Sequence, residues 1–289
     1  MKEVAVIGLG LIGGSFALEI KKAFGSTIYG VDSNPDNIQS ALNIGFIDRS
    51  SNIESLTKVD VVIIATPVDT IGKIASLVLD VVKEDALVFD VGSVKAGICK
   101  SLANHPKRQN FLAAHPIAGT EFSGPEAAIY DLFAGKVNIL CELEKTNRKI
   151  ANTAFDIFDK FGMEYKYMSP VEHDRHIAYV SHLSHVSSFM LGKTVLGIEK
   201  SEQNIFDLAG SGFESTVRLA KSSPSTWTPI FNENKDNLVR SLDAYIQNLT
   251  EFKKCVEEGN SEQLFRIMEE TNHLKEILNG INNKHKHID

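Results

Sequence analysis

The stretch from Lys2 to Asp32 constrains this chain more than any other. Lys2-Glu3-Val4-Ala5-Val6-Ile7 is a short apolar run of strand formers, and Gly8-Leu9-Gly10-Leu11-Ile12-Gly13 follows at once. Gly14 to Ile20 reads as a helix, and Thr27 to Val31 as a second strand ending in Asp32. Strand, glycine turn, helix, strand and acid is the order of a dinucleotide-binding βαβ unit. Gly8 permits the tight turn, Gly10 lets a pyrophosphate approach the backbone, and Gly13 lets the helix lie close to the strands. The helix N-terminus, where Leu11 and Ile12 sit, offers free N–H groups and partial positive charge to phosphates. Asp32 can accept hydrogen bonds from both ribose hydroxyls and would repel a 2′-phosphate. No Arg follows it, so the expected cofactor is NAD rather than NADP.

The alternation continues. Asp36 to Leu42 fits a helix started by Asn34-Pro35. Asp60 to Ala65 is an apolar strand of the buried parallel type, ending in Thr66-Pro67 before a helix from Thr70 to Val82. Leu87 to Val91 is a strand leading into Gly92-Ser93-Val94-Lys95, followed by a helix from Ala96 to Ala103. Phe111 to Ala114 is a strand leading into His115-Pro116-Ile117-Ala118-Gly119-Thr120-Glu121. Lys136 to Cys141 is a strand, Thr146 to Phe161 an amphipathic helix, and Glu164 to Met168 an edge strand. This pattern predicts an α/β fold with a Rossmann-type doubly wound parallel sheet, an NAD-binding domain over residues 1–168.

From Pro170 onward the pattern is almost purely helical: His173 to Leu196, Gln203 to Leu208, Phe213 to Lys221, Thr226 to Gly259 and Ser261 to Asn279. Residues 169–289 are therefore expected to form an all-α domain that closes over a small-molecule substrate. Its long striped helices, such as Asn237 to Val256, need a surface to bury against, which predicts a homodimer.

A net charge of -7 argues against a nucleic-acid or anionic-membrane partner. No apolar run approaches a membrane span. Cys99, Cys141 and Cys255 show neither a disulfide framework nor zinc-type spacing, so no metal is expected and a reducing cytoplasm fits. Met1 leads straight into the first strand with no leader pattern, which again predicts a cytoplasmic protein. Lys284-His285-Lys286-His287 reads as a polar terminus rather than a metal site.

Three strand ends point at one cleft: Thr66-Pro67, Ser93 with its neighbours, and His115 to Glu121. His115 is the candidate catalytic residue, because an imidazole with a pKa near ~6.5 can take a hydroxyl proton while hydride leaves the same carbon. The bland alternative is a loop histidine satisfied by carbonyls. Ser93 could orient that imidazole or the nicotinamide amide, or simply cap the following helix. Lys95 reads as a solvated or phosphate-side charge. His173-Asp174-Arg175-His176 and Ser181-His182-Leu183-Ser184-His185 form a polar stripe, with Ser181 and His185 on one helix face. Arg218 is either a two-pronged clamp for a carboxylate or the partner of Glu214 one turn back.

The motifs GLGLIGGS (8–15), DVGSVK (90–95), HPIAGTEFSG (115–124), HDRHIAYVSHLSH (173–185), SGFESTVRLAKSSPSTW (211–227) and ENKDN (233–237) resemble those of prephenate dehydrogenases and the related arogenate dehydrogenases of tyrosine biosynthesis. The resemblance spans almost the whole chain. It implies NAD-dependent oxidative decarboxylation of prephenate to 4-hydroxyphenylpyruvate, with arogenate as the alternative substrate. By the same resemblance His115 is the catalytic histidine on the ring hydroxyl, and Ser93 positions it and the nicotinamide. Arg218 anchors a substrate carboxylate. His185, Ser181 and Trp227 line the pocket with Gly119, Thr120 and Glu121. Ser215 departs from the pattern, since relatives often carry an acid there. A β-hydroxyacid dehydrogenase with Lys193 as its catalytic lysine fits the His-rich stretch badly. A nucleotide-sensing module without turnover would have no reason for His115, Ser93 and Arg218 together.

Overall fold

Val4 and Val6 face one way from the first strand, Ala5 and Ile7 the other, and all four are buried. Apolar residues on both faces require a covering layer on each side. The computed structural model, which describes residues 1–199 and 205–277, supplies both. The nucleotide-side elements are β1 (Glu3–Ile7), α1 (Leu11–Phe24), β2 (Thr27–Val31), α2 (Pro35–Ile44) and β3 (Arg49–Ser50). Next come β4 (Val61–Ile64), α3 (Val68–Val81), β5 (Leu87–Asp90), α4 (Ala96–Leu102) and β6 (Phe111–Pro116). β7 (Val137–Cys141), α5 (Arg148–Lys160) and β8 (Glu164–Met168) complete the sheet.

The strand order is β3-β2-β1-β4-β5-β6-β7-β8. Strands β1 to β6 run parallel, but β7 is antiparallel to β6 and β8 follows β7. The expected doubly wound parallel sheet is thus present, mostly parallel and mixed at one end. The order reverses between β1 and β4, and a crevice at such a switch point is where α/β sheets bind ligands. One core layer joins Val4, Val6, Phe16, Ile20, Phe89, Phe133 and Phe158. The opposite layer joins Ala5, Ile7, Ile64, Ile71, Val78 and Ile98, and takes in Ile230 from far along the chain.

The C-terminal half is helical as expected, with different breaks. α6 (Pro170–Ile177) opens on a capping box between Ser169 and Glu172, which satisfies two orphan N–H groups. A π turn over Ala178–His182 interrupts the predicted helix before α7 (Leu183–Glu199). A short 3-10 turn covers Ile205–Leu208; Gln203, expected to start it, lies outside the described residues. α8 (Ser211–Val217) passes into a 3-10 turn at Arg218–Lys221. The predicted helix from Thr226 to Gly259 is two, α9 (Pro224–Glu233) and α10 (Lys235–Glu257), broken at Asn234. α11 (Ser261–Thr271) follows. Asn279 and the His285 tail lie outside the described residues.

Two compact units result, divided after Lys235. The reason is tertiary. α9 places Ile230, with Trp227 and Phe231 partly buried beside it, in the second core layer, so it stays with the sheet. Among the described residues no helix is long and apolar enough to cross a membrane.

Candidate active site

The glycine turn between β1 and α1 has the stereochemistry that the sequence implies. Gly8 has φ +93, and a methyl there would lie 2.5 Å from the Ala65 carbonyl oxygen. At Gly13 a methyl would lie 2.0 Å from the Gly8 oxygen, so only glycine lets α1 come this close. Around Gly10, the residue before α1, a methyl would meet nothing within 4 Å. That is open space at a helix N-terminus, where a pyrophosphate fits. The Asp32 carboxylate at the end of β2 accepts the Leu9 N–H at 2.9 Å and the Asn34 N–H at 2.8 Å. It is thereby locked to the glycine turn. Beyond β4, the Thr70 hydroxyl donates to Thr66 Oγ1 at 2.9 Å and lies 2.7 Å from the Pro67 carbonyl.

His115 lies within β6 rather than in the following loop, paired opposite Ile139. It is buried, and its Nδ1 is 2.8 Å from His173 Nε2. His173 Nδ1 is in turn 2.7 Å from Asp174 Oδ1. Burial, with His173, Lys95 and His182 nearby, pulls the His115 pKa well below the usual histidine value. The imidazole is therefore neutral at pH 7, the form a proton acceptor needs.

Asp174 also fixes the loop after β5. Its two carboxylate oxygens accept the N–H groups of Lys95 at 2.7 Å and Ala96 at 2.8 Å, the start of α4. Ser93 does not cap this helix, and its half-buried hydroxyl has no hydrogen bond among the described residues. Lys95 is a correction. It is fully buried, its ammonium paired with Asp90 and donating to the Ala114 carbonyl at 2.8 Å. It ties the ends of β5 and β6 together.

A second group of side chains gathers around the π turn. Such turns frequently mark functional sites. The Asn234 amide donates to the Asp174 carbonyl at 2.7 Å and lies 3.2 Å from His182 Nδ1. Burial lowers the His182 pKa to about 4. Trp227 stacks flat on His185, their ring centroids 3.4 Å apart. His185 Nδ1 lies 3.0 Å from the Ser181 carbonyl. Ser188 donates to the Thr216 carbonyl at 2.6 Å, which fastens the end of α8 to α7.

Arg218 heads the 3-10 turn just beyond, half exposed. Its ion-pair partner is Glu121, 3.9 Å away, and not Glu214, which lies 3.9 Å from Lys221. Glu121 and Arg218, read separately in the sequence, thus meet. Gly119 and Thr120 are exposed in the same loop. The residues that sequence reasoning left without roles are His173, Asp174, Asn234 and His182. The adjacent His-Asp pair was visible; the helix start that it caps was not.

A glycine turn at the switch point, with a buried neutral imidazole near the carboxyl end of β6 in the same sheet, defines a dinucleotide-dependent oxidoreductase. Comparisons sharpen this. Residues 16–167 match the family model for the prephenate dehydrogenase nucleotide-binding domain, and residues 169–270 that for its dimerization domain. The prephenate dehydrogenase of Bacillus subtilis is 33% identical over 92% of this chain and 73% of its own length. The cyclohexadienyl dehydrogenase of Zymomonas mobilis is 29% identical, covering 93% and 94%. The crystal structure of Aquifex aeolicus prephenate dehydrogenase with hydroxyphenyl propionate and NAD+ superposes with a TM-score of 0.87. It is 34% identical and covers 96% of this chain and 98% of that one. The chain belongs to the prephenate dehydrogenase family.

Proposed function

We propose that this enzyme converts prephenate to 4-hydroxyphenylpyruvate and CO2 with NAD as oxidant, with arogenate as the alternative substrate. The cofactor is NAD, as the nucleotide-binding domain and the NAD+-bound relative indicate. Gly8, Gly10, Leu11, Ile12, Gly13 and Asp32 would hold its pyrophosphate and ribose, with Thr66 and Pro67 beside the nicotinamide. When bound, NAD supplies the hydride acceptor.

The observation that carries the reading is the buried, neutral His115 at the carboxyl edge of β6. Its nitrogen not engaged by His173 takes the proton of the ring hydroxyl as hydride leaves the same carbon. Ser93, on the loop after β5, orients that imidazole or the nicotinamide amide. Arg218 exchanges Glu121 for a substrate carboxylate, which it can grip with two parallel hydrogen bonds. The His185–Trp227 stack and Ser181 form a wall against the ring, and Gly119, Thr120 and Glu121 line the mouth. Loss of CO2 makes the ring aromatic, so the protein needs chiefly to orient the substrate and accept one proton.

The names of the relatives divide between prephenate and cyclohexadienyl substrates, so the substrate needs a direct test. Prephenate or arogenate would be mixed with the protein and NAD or NADP, and the reduced nicotinamide followed by absorbance. Prephenate with NAD is expected to give the highest kcat/KM. Faster turnover of arogenate would reverse the substrate assignment, and no turnover of either would end the reading.

We also propose that function divides near residue 168, the earlier part holding NAD and the later part the substrate and a second copy. α10 leaves Val239, Ile246, Leu249, Phe252 and Val256 exposed along one stripe, and the dimerization model covers these positions. Sedimentation should therefore give twice the 31.8 kDa chain mass, and a monomer at micromolar concentration would contradict it. The negative charge and three free cysteines support a cytoplasmic enzyme without a nucleic-acid partner.

A further inference from the structure

Hydrogen bonds run without a gap from the end of β6 to the start of α4. His115 Nδ1 meets His173 Nε2 at 2.8 Å, and His173 Nδ1 meets Asp174 Oδ1 at 2.7 Å. The Asp174 carboxylate in turn holds the Lys95 and Ala96 N–H groups. His173 and Asp174 are only 1% and 2% exposed, so water does not compete for these contacts.

The chain has a direction. An ionised carboxylate can only accept. Asp174 already takes two backbone protons, so His173 must present its Nδ1 as N–H. A neutral His173 then keeps a lone pair on Nε2. His115 can satisfy that lone pair only by donating from Nδ1. The one nitrogen of His115 left with a lone pair is Nε2.

We propose that His173, anchored by Asp174, is a positioning residue that fixes His115 in the Nδ1–H tautomer, leaving Nε2 free to accept the substrate's hydroxyl proton. This rests on the reading of His115 as the base. In the step the substrate O–H bond breaks and the His115 Nε2–H bond forms. His115 becomes a cation, its Nδ1–H stays on His173, and the Asp174 charge lies one imidazole away. The charged and titratable groups facing the pair are Lys95, Asp90 and Asp174 around His173, with Lys95 and His182 around His115. Burial pulls His173 below the ordinary histidine value, against the opposite pull of Asp174. Both rings are thus neutral at pH 7.5, where the chain of donors holds.

The test is the imidazole 15N–1H correlation spectrum of histidine-labelled protein at pH 7.5, with His115 assigned by its loss in H115N. The wild type is expected to show His115 protonated on Nδ1; protonation on Nε2 overturns the proposal without any variant. In His173→Leu, His115 should move to the Nε2–H form. There kcat should fall by about a hundredfold or more, with the KM for NAD unchanged. His173→Gln can accept from His115 through its carbonyl and donate to Asp174 through its amide. It should keep the Nδ1–H form and regain at least about a tenth of wild-type kcat. An unmoved tautomer in His173→Leu overturns the role of His173. A moved tautomer with unchanged kcat upholds that role and instead removes His115 as the base. Should the leucine variant fail to fold, the wild-type and glutamine spectra still decide.

Discussion

His115→Asn is expected to lower kcat by two to four orders of magnitude while NAD binding persists. General base catalysis contributes about that much, roughly 3–5 kcal/mol of barrier. Asparagine is smaller, and its amide can still donate to His173, so the pocket loses its base more than its shape. The glycine turn and Asp32 lie on other loops, so titration with NAD should give an affinity within about threefold of wild type. Wild-type kcat in the variant would remove His115 from the chemistry. The same imidazole sets a pH signature. Burial holds its pKa well below 6.5, so the active neutral form persists as pH falls through 6.5 and is lost only further down. The acid limb of kcat/KM should therefore lie below pH 6.5, and a limb centred at or above 6.5 would place the working base elsewhere.

The nucleotide half of the fold was legible because its signals are local. An apolar run, three glycines and an acid at fixed spacing each have a steric or electrostatic cause, and Gly8 and Gly13 are where those causes are tightest. β3 was not legible: it is two exposed residues, Arg49 and Ser50, which only their pairing with β2 makes a strand. Nor does β7 announce its direction, because an apolar strand reads the same parallel or antiparallel. The helical half failed at its breaks for the same reason. Asn234 interrupts a continuous helical pattern because its amide reaches the Asp174 carbonyl and His182, residues far away in sequence. Lys95 looked like a surface charge until β5 and β6 closed around it with Asp90 and the Ala114 carbonyl. The candidate site divides likewise. His115 could be picked out from its place at a strand end, whereas His173 gains a role only when α6 is laid against α4.

Arg218→Ala is expected to raise the substrate KM by roughly thirtyfold to a thousandfold, about 2–4 kcal/mol of lost anchoring, with a smaller effect on kcat. The argument turns on how loosely the guanidinium is held without substrate. Its contact with Glu121 is 3.9 Å long and half exposed, the kind of pair worth about 0–1 kcal/mol. Removing it should leave the melting temperature almost unchanged, so a KM effect will report on binding rather than on folding. A substrate carboxylate in the same place would be gripped by two parallel N–H groups in a setting that the ligand itself dries out, where the pairing is stronger. Arg218→Lys separates charge from geometry: it keeps the cation but loses the planar fork, and should fall between wild type and alanine. Glu214 sits beside Lys221 instead, so Glu214→Ala should leave KM where it was. If Arg218→Ala and Glu214→Ala prove alike, with KM unmoved in both, the carboxylate is held by some other group and the arginine serves only the surface.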